Sequence, residues 1–374
     1  MFELIKEDGT SKARLGKLST DHGEILTPVF MPVGTQGAVK AIEQRELLEI
    51  GSQIILGNTY HLYLRPGTEV IEHFGGLHKF NSWEKPILTD SGGYQIFSLK
   101  EIRKLTDDGA EFKSHLDGSL HFFSPEKVIE IQKSLGSDIM MVLDECPEGG
   151  AERDYIEKSI KLSLKWAERC KSAHLTQSQR YDHRQFLFGI GQGGRFADLR
   201  RDYIKRLIDI DFDGYSIGGL SVGEPKEVMH EMTDVSTDVL PKNKARYLMG
   251  VGTPIDLLEG VERGVDMFDC VLPTRNARNG QIFTTRGKIN IRNAKHKLNE
   301  EPIDPGLDNY ASRNFSLGYL RHLIIANEIL GLQLASIQNI AFYHWLMEQA
   351  KTAIRNDNYA IWKKKFIEEW ERGE

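Results

Sequence analysis

Residues 265–280 read VDMFDCVLPTRNARNG. A short apolar run stops at the carboxylate of Asp269, turns at Pro273 and then presents Arg275 and Arg278. A carboxylate at a strand end can be a catalyst or a capping group, and paired arginines can bind phosphate or solvate a loop. Seven earlier runs of the same kind place this one in a pattern: PVFMPVGT from Pro28, QIILGNTY from Gln53, PILTDSGG from Pro86, DIMMVLDEC from Asp138, FLFGIGQGG from Phe186, GYSIGGL from Gly214 and RYLMGVG from Arg246. Between most of them lie segments of helical period, such as PEKVIEIQKSLG from Pro125, the long run from Glu152 to His174, FADLRRDYIKRLIDI from Phe196 and PIDLLEGVERG from Pro254. Eight buried strands alternating with helices over roughly 250 residues predict a closed (β/α)8 barrel, with an open doubly wound sheet as the other arrangement of the same elements.

Functional groups in such a barrel sit where strands end. These ends carry Asn58, Asp90, Asp144, Glu145, Gln192 and Asp269, with glycine pairs at Gly92–Gly93, Gly193–Gly194 and Gly218–Gly219 that let a ligand reach backbone N–H groups. No phosphate-binding G-x-G-x-x-G or G-K-[ST] loop follows the first strand, so no nucleotide cofactor is expected. If the barrel closes, Asp90, Asp144 and Asp269 converge on one of its faces. Two carboxylates acting as nucleophile and acid/base suit double displacement at a sugar anomeric carbon. The third carboxylate, Gln192, backbone N–H groups and Tyr94 suit the edge and face of a planar purine.

Two segments break the alternation. EFKSHLDGSLHFFS, from Glu111, reads as a hairpin turning on Asp117–Gly118 between the third and fourth strands, and QIFTTRGKINIRN, from Gln281, as another after the eighth. SLGYLRHLIIANEILG and IAFYHWLMEQAKTAIRND read as helices of an appendage. The expected division is residues 1–280 for the barrel with an N-terminal hairpin, and 281–374 for a C-terminal α/β subdomain.

The chain has 374 residues, 40% hydrophobic and 27% charged, enough to bury a large core, and a net charge of −6 that argues against nucleic-acid binding over its whole surface. Yet from Arg275 to Lys297 there are seven basic residues and no Asp or Glu, which reads either as a solvated hairpin or, against the acidic background, as a local phosphate-binding stripe. A glycoside hydrolase acting on free sugars would explain two carboxylates but not this stripe. Cys146, Cys170 and Cys270 form no C-x-x-C pair and are odd in number, and no run reaches the roughly 18 apolar residues of a membrane span, so the expected compartment is the cytoplasm. Cys170 reads as a small buried side chain, and His73, His78 and His174 as packing or surface residues.

PVGTQG, LGNTYHL, LTDSGGYQ, FKSHLDG, DIMMVLDEC, IGGLSVGEP, RYLMGVGTP, FDCVLPTRNARNG and KINIRNAK together resemble bacterial tRNA-guanine transglycosylases over nearly the whole chain. That resemblance implies exchange of the wobble guanine of tRNAs with GUN anticodons (Asp, Asn, His, Tyr) for a 7-deazaguanine, on a (β/α)8 barrel with a C-terminal subdomain. It implies Asp269 as the nucleophile on ribose C1′ and Asp90 as the acid/base group. It places the base among Asp90, Ser91, Gly92 and Gly93, with Asp144 accepting from its N–H groups, Gln192 and the Gly219 N–H on its carbonyl, and Tyr94 and Met249 on its faces. Gly250, Val251, Gly252, Thr253, Pro254, Ile255 and Asp256, and Thr274, Arg275, Asn276, Ala277 and Arg278, would meet the RNA. Val222 and Cys146 point to the small aminomethyl base rather than queuine.

One feature departs from the family pattern, which includes a structural zinc held by C-x-C-x2-C and a following histidine. Leu307, Asn309, Ser312 and Gln338 stand at those four positions, so no metal is expected. The resemblance also implies a homodimer through the region of Phe315, Tyr319 and His322.

Overall fold

The N-terminal element is a three-stranded antiparallel sheet, β1 (Phe2–Glu7), β2 (Arg14–Thr20) and β3 (Gly23–Thr27), one strand more than the expected hairpin. The computed structural model describes residues 1–98 and 103–373. All eight apolar runs contain strands: β4 (Val29–Pro32), β5 (Ile55–Gly57), β6 (Ile87–Thr89), β10 (Ile139–Met141), β11 (Phe186–Gly191), β12 (Gly214–Ile217), β13 (Ala245–Leu248) and β14 (Met267–Cys270), with β7 (Arg103–Thr106), β8 (Gly109–Lys113) and β9 (Leu120–Phe123) inserted after β6. The eight are parallel in the order β4-β14-β13-β12-β11-β10-β6-β5. A parallel bridge from Val33 to Leu56, with the Gly34 N–H donating to the Leu56 carbonyl at 2.7 Å, closes β4 onto β5. The cylinder is complete. Every residue of β10 and β11 is buried, which is why these runs read as continuously apolar rather than alternating.

The helices foreseen between strands are Pro125–Leu135, Arg153–Thr176, Ala197–Asp209 and Pro254–Glu262. The first and last begin at caps written in the sequence. Ser124 and Thr253 accept from the N–H three residues on, and a proline follows each cap.

Three details differ from expectation. The insertion is a three-stranded sheet, and its β8–β9 turn is longer than two residues because Ser114 and Ser119 still pair, leaving residues 115–118 as the loop and Gly118 at φ +75°. The C-terminal helices are Leu317–Ala326 and Ile329–Arg355; Asn327, left-handed at φ +57°, ends the first, so Ile329–Gly331 open the second. A last helix, Tyr359–Arg372, was not foreseen. Its Trp362, Phe366 and Trp370 stack as a ladder, and Trp370 lies against Phe342 of the long helix. The basic hairpin is present as β15 (Gln281–Thr284) and β16 (Gly287–Asn290).

At the N-terminal end of the barrel the Arg14 Nε donates to Asp266 Oδ1 at 2.9 Å, and Asp266 Oδ2 also accepts from the Arg246 N–H at 2.7 Å. Both ion-pair side chains are fully buried, so the pair ties the N-terminal sheet to the start of β14. The opposite rim is left for chemistry.

Candidate active site

Parallel register puts the ends of β5, β6, β10, β11, β12, β13 and β14 on one rim, around a cavity of about 500 Å³. Asp90, Asp144 and Asp269 all line it. The three aspartates that are 54 and 125 residues apart in sequence therefore share one wall-to-wall space, as the barrel reading required.

Asp90 follows β6 and is nearly fully buried. Its Oδ1 accepts from the Thr59 N–H at 2.8 Å and the Gly92 N–H at 3.2 Å, and its Oδ2 from Asn58 Nδ2 at 2.5 Å and Gln95 Nε2 at 2.9 Å. Burial pushes the carboxyl up to about 6, against the pull of the Asn58, Thr59 and Gln95 donors and with a smaller push from Asp269. A carboxyl poised there exchanges a proton near neutral pH.

Asp144 lies beyond β10, where burial pushes it up to about 7; Gln192 opposes the shift, while Glu145 and Asp90 add to it. Gln192 Nε2 donates to Asp144 Oδ2 at 2.6 Å, and Gln192 Oε1 is buried with no partner among the described residues. An unpaired buried amide oxygen costs about 1–3 kcal/mol unless a ligand supplies a donor. Gly219, at φ +64°, sits so close that a Cβ there would come within 2.3 Å of Gln192 Oε1. Only glycine leaves room for this amide, so Gly219 exposes backbone exactly where a planar ring would enter.

Asp269 ends β14. Tyr247 Oη donates to its Oδ1 at 2.6 Å and the Gly250 N–H to the same oxygen at 2.7 Å. Oδ2 is the oxygen left for the cavity. Burial raises the carboxyl, while Tyr247 and Gly250 pull it down, and the same neighbourhood holds the Tyr247 hydroxyl well above its usual range and therefore protonated. The arrangement fits a nucleophile: one oxygen is fixed by donors and the other is free.

Ser91, Gly92, Gly93, Tyr94, Gly219 and Met249 line the same cavity, and Tyr94 is 58% exposed, with a ring face available. Cys146 and Val222 also line it, and burial pushes the Cys146 thiol up to about 12, so it stays neutral.

The two segments expected to meet RNA divide by exposure. Arg275 is exposed and lines the cavity, Arg278 is half-buried with Nη1 unpartnered, and Asn276 is half-buried. Among the described residues neither arginine pairs with a carboxylate. Burial, with the Arg275 charge nearby, moves Arg278 downward. Thr274 and Ala277, on the same helix Leu272–Arg278, are buried instead, because that helix packs against the long helix, whose Asn339 Nδ2 donates to the Pro273 carbonyl at 2.9 Å. Gly250, Thr253 and Ile255 are exposed or half-buried, whereas Val251, Gly252, Pro254 and Asp256 are buried. Gly252 packs on Cys270, where a Cβ would meet the Cys270 Cβ at 2.0 Å. Asp256 is occupied by Lys226 Nζ at 3.0 Å and the Thr253 hydroxyl. Thr274, Ala277, Val251, Gly252, Pro254 and Asp256 are thus engaged in packing and capping.

Sequence reading missed Tyr247 and Gln95. Tyr247 sits inside an apolar strand run, and the signal for it was that a buried tyrosine hydroxyl requires a partner. Gln95 closes the LTDSGGYQ stretch, where nothing in the spacing marks it as a donor to Asp90.

In the C-terminal region Leu307, Asn309, Ser312 and Gln338 are all buried. Gln338 Oε1 accepts from Ser312 Oγ at 2.7 Å and Asn309 Nδ2 at 2.9 Å, and Gln338 Nε2 donates to the Phe283 carbonyl at 2.9 Å. Asp304 joins this knot: its N–H donates to Ser312 Oγ at 3.2 Å, and its two carboxylate oxygens accept from the N–H and hydroxyl of Thr285, both at 2.7 Å.

Comparison with known proteins agrees with this geometry. The sequence profile of the queuine tRNA-ribosyltransferase family matches residues 8–372. The chain is 58% identical over 369 residues to the queuine tRNA-ribosyltransferase of Thermoanaerobacter pseudethanolicus, covering 99% of this chain and 97% of that one. It is 52% identical over 373 residues to the protein of the same name from Symbiobacterium thermophilum, covering 100% and 92%. Matching end to end and at this identity, the chain belongs to the queuine tRNA-ribosyltransferase family.

Proposed function

We propose that this protein is a tRNA-guanine transglycosylase that exchanges the wobble guanine of GUN-anticodon tRNAs for 7-aminomethyl-7-deazaguanine. The observation that carries the reading is the Asp269 carboxylate, with one oxygen free, facing a cavity of about 500 Å³, roomy enough for a purine, that also holds Asp90 and Asp144. Asp269 Oδ2 attacks ribose C1′, and the bond to guanine N9 breaks through an oxocarbenium-like transition state. Asp90 delivers a proton to the departing base and takes one from the incoming base, which then displaces Asp269 from C1′. Asp144 accepts from the N–H edge of the base, Gln192 and the Gly219 N–H hold its carbonyl, and Tyr94 and Met249 cover its faces. The base is unstacked from the anticodon loop, where single-stranded readout is available.

Cys146 and Val222 on the cavity wall support the small base over queuine. The test is release of labelled wobble guanine from unmodified tRNA. Release by the aminomethyl base alone supports the reading, and release by queuine makes the protein a salvage enzyme. Binding of tRNA without release by either base would favour a non-catalytic partner subunit, a reading that the retained Asp90 and Asp269 disfavour.

The unpaired Arg275 and Arg278 support phosphate contacts beside Asp269. Arg275→Ala is expected to weaken tRNA binding and to reduce the slope of log affinity against log salt by about 1, measured by fluorescence anisotropy across a salt series.

We assign residues 281–374 to a subdomain that holds together without zinc. No thiolate or imidazole stands at the four positions, and their polar groups already satisfy one another. Gln338→Ala strips three buried partners at once, so a loss of about 2–4 kcal/mol is expected in urea unfolding. A stacked row of Phe315, Tyr319 and His322, with Tyr319 40% and Ile329 77% exposed, supports a homodimer here, expected to dissociate in Tyr319→Glu by sedimentation analysis. Among the described residues no helix is long and apolar enough to cross a membrane.

A further inference from the structure

His78, expected to be a packing or surface residue, has two histidine neighbours at the N-terminal end of the barrel, opposite the active-site rim. His22 is in the β2–β3 turn, His78 is in the short helix Leu77–Phe80, and His183 precedes β11. One ring nitrogen from each lies within 4.8 Å of one from each of the other two, the one such group of three among the described residues. The rings of His22 and His78 stack at 3.7 Å, and that of His183 meets His22 edge-on at 4.6 Å.

One ring nitrogen of each imidazole meets an oxygen acceptor. His22 Nδ1 meets Asp138 Oδ1 at 2.7 Å, His78 Nε2 meets Asp138 Oδ2 at 3.1 Å, and His183 Nε2 meets the Gly136 carbonyl at 2.9 Å. Asp138 is wholly buried and is fixed in turn by the Ile87 N–H at 2.8 Å. A carboxylate or carbonyl holding the proton of one ring nitrogen leaves a lone pair on the other, the way metal-binding histidines are set up in proteins. The side chains of His22 and His78 keep 24% and 10% exposure, so a cation can reach the group and keep a solvent ligand.

We propose that His22, His78 and His183 form a zinc site with Asp138 as its supporting carboxylate. Three neutral imidazoles and an open position suit a borderline divalent ion, and zinc first among them in tetrahedral coordination. Metal–nitrogen bonds of about 2.0–2.1 Å place ligand nitrogens about 3.4 Å apart. The group therefore closes on the ion by rotation of the rings, and the stacked pair opens so that the ion lies in the plane of each. A turn, a one-turn helix and a loop can make that adjustment without moving a barrel strand. Zinc there pins the N-terminal sheet to the segments entering β6 and β11. It is a stabilising site, remote from the transfer chemistry and independent of it.

The test is titration of chelator-treated full-length protein with zinc chloride by calorimetry, with thermal unfolding in parallel. About one zinc per chain is expected, with a rise in melting temperature on saturation. His22→Ala and His183→Ala, both at partly exposed positions, are each expected to weaken binding at least tenfold and to abolish the rise. Cobalt substitution gives a second readout, because a tetrahedral site has intense visible absorption that the variants would lose. Absence of zinc binding by folded wild-type protein would overturn the site, as would binding unchanged in both variants. Base exchange is expected to be the same in all three proteins, so failure here leaves the transferase reading untouched.

The two metal statements are separable. A His22→Ala, His183→Ala double variant is expected to carry no zinc after metal loading, because the Asn309–Ser312–Gln338 knot offers none of the usual ligands. Stoichiometric zinc in that variant would contradict the metal-free subdomain.

Discussion

Asp269→Asn is expected to lower base exchange by at least about 10³-fold while leaving tRNA affinity within a factor of about two. The asparagine is nearly isosteric, and its amide oxygen can still accept from Tyr247 Oη and the Gly250 N–H, which both address Oδ1 in the native site. What is lost is the anionic oxygen that bonds to C1′. A neutral amide nitrogen in its place is not a nucleophile. Single-turnover release of labelled guanine measures the effect, and anisotropy with the same tRNA separates it from binding. A variant that retained more than about a tenth of the rate would place the nucleophile elsewhere, and Asp90 would then be examined in the same way.

The second large effect belongs to Asp144. Replacement by asparagine puts an amide N–H opposite the N–H groups of the base, so kcat/KM is expected to fall by about 10²–10⁴-fold, since a mispaired buried polar edge is far costlier than a lost apolar contact. In wild-type protein the productive form needs Asp144 ionised and Asp90 protonated. With burial pushing them up to about 7 and about 6, the pair titrates together, and kcat/KM against pH is expected to be a bell centred near neutrality. Stability should run the other way. The native-state value of Asp144 lies above the unfolded value of 3.8, so the unfolded chain gives up this proton first. Its contribution is fully present below about 4 and is lost as pH rises through about 7. Asp144→Asn removes that penalty, so its melting temperature at pH 8 should exceed that of wild type by a few degrees, with the difference vanishing near pH 4. Equal melting temperatures at pH 8 would mean that Asp144 is not strained by its burial.

The barrel was legible because its strands are buried on both faces, which leaves compact apolar runs such as IMMVL after Asp138 and FLFGIG from Phe186 with polar residues only at their ends. The same property brought out the site: Asp90, Asp144, Gln192 and Asp269 stand at the first positions where polarity is tolerated. Residues whose role depends on a side chain inside a strand were hidden, as with Tyr247, whose hydroxyl reaches Asp269 from the neighbouring strand at 2.6 Å. At Thr274, Ala277, Val251, Gly252, Pro254 and Asp256 the motif coincides with buried positions, because a motif is kept by packing as well as by contact with a ligand. The histidine group was invisible for another reason. His22, His78 and His183 are separated by 56 and 105 residues, and only closure of the barrel brings their turns together. The Asn309–Ser312–Gln338 knot could be located from the resemblance, but its internal hydrogen bonding depends on side-chain directions that spacing does not give.

The most direct measurement is denaturing electrophoresis of enzyme mixed with an anticodon stem-loop RNA carrying guanine at the wobble position, quenched in the absence of an incoming base. The expected result is a slowly migrating protein–RNA adduct with the wild-type chain, discharged on adding the aminomethyl-deazaguanine and missing in Asp269→Asn. An adduct that persists in Asp269→Asn, or guanine exchange by the wild type with no adduct at any time, would contradict a covalent displacement at Asp269.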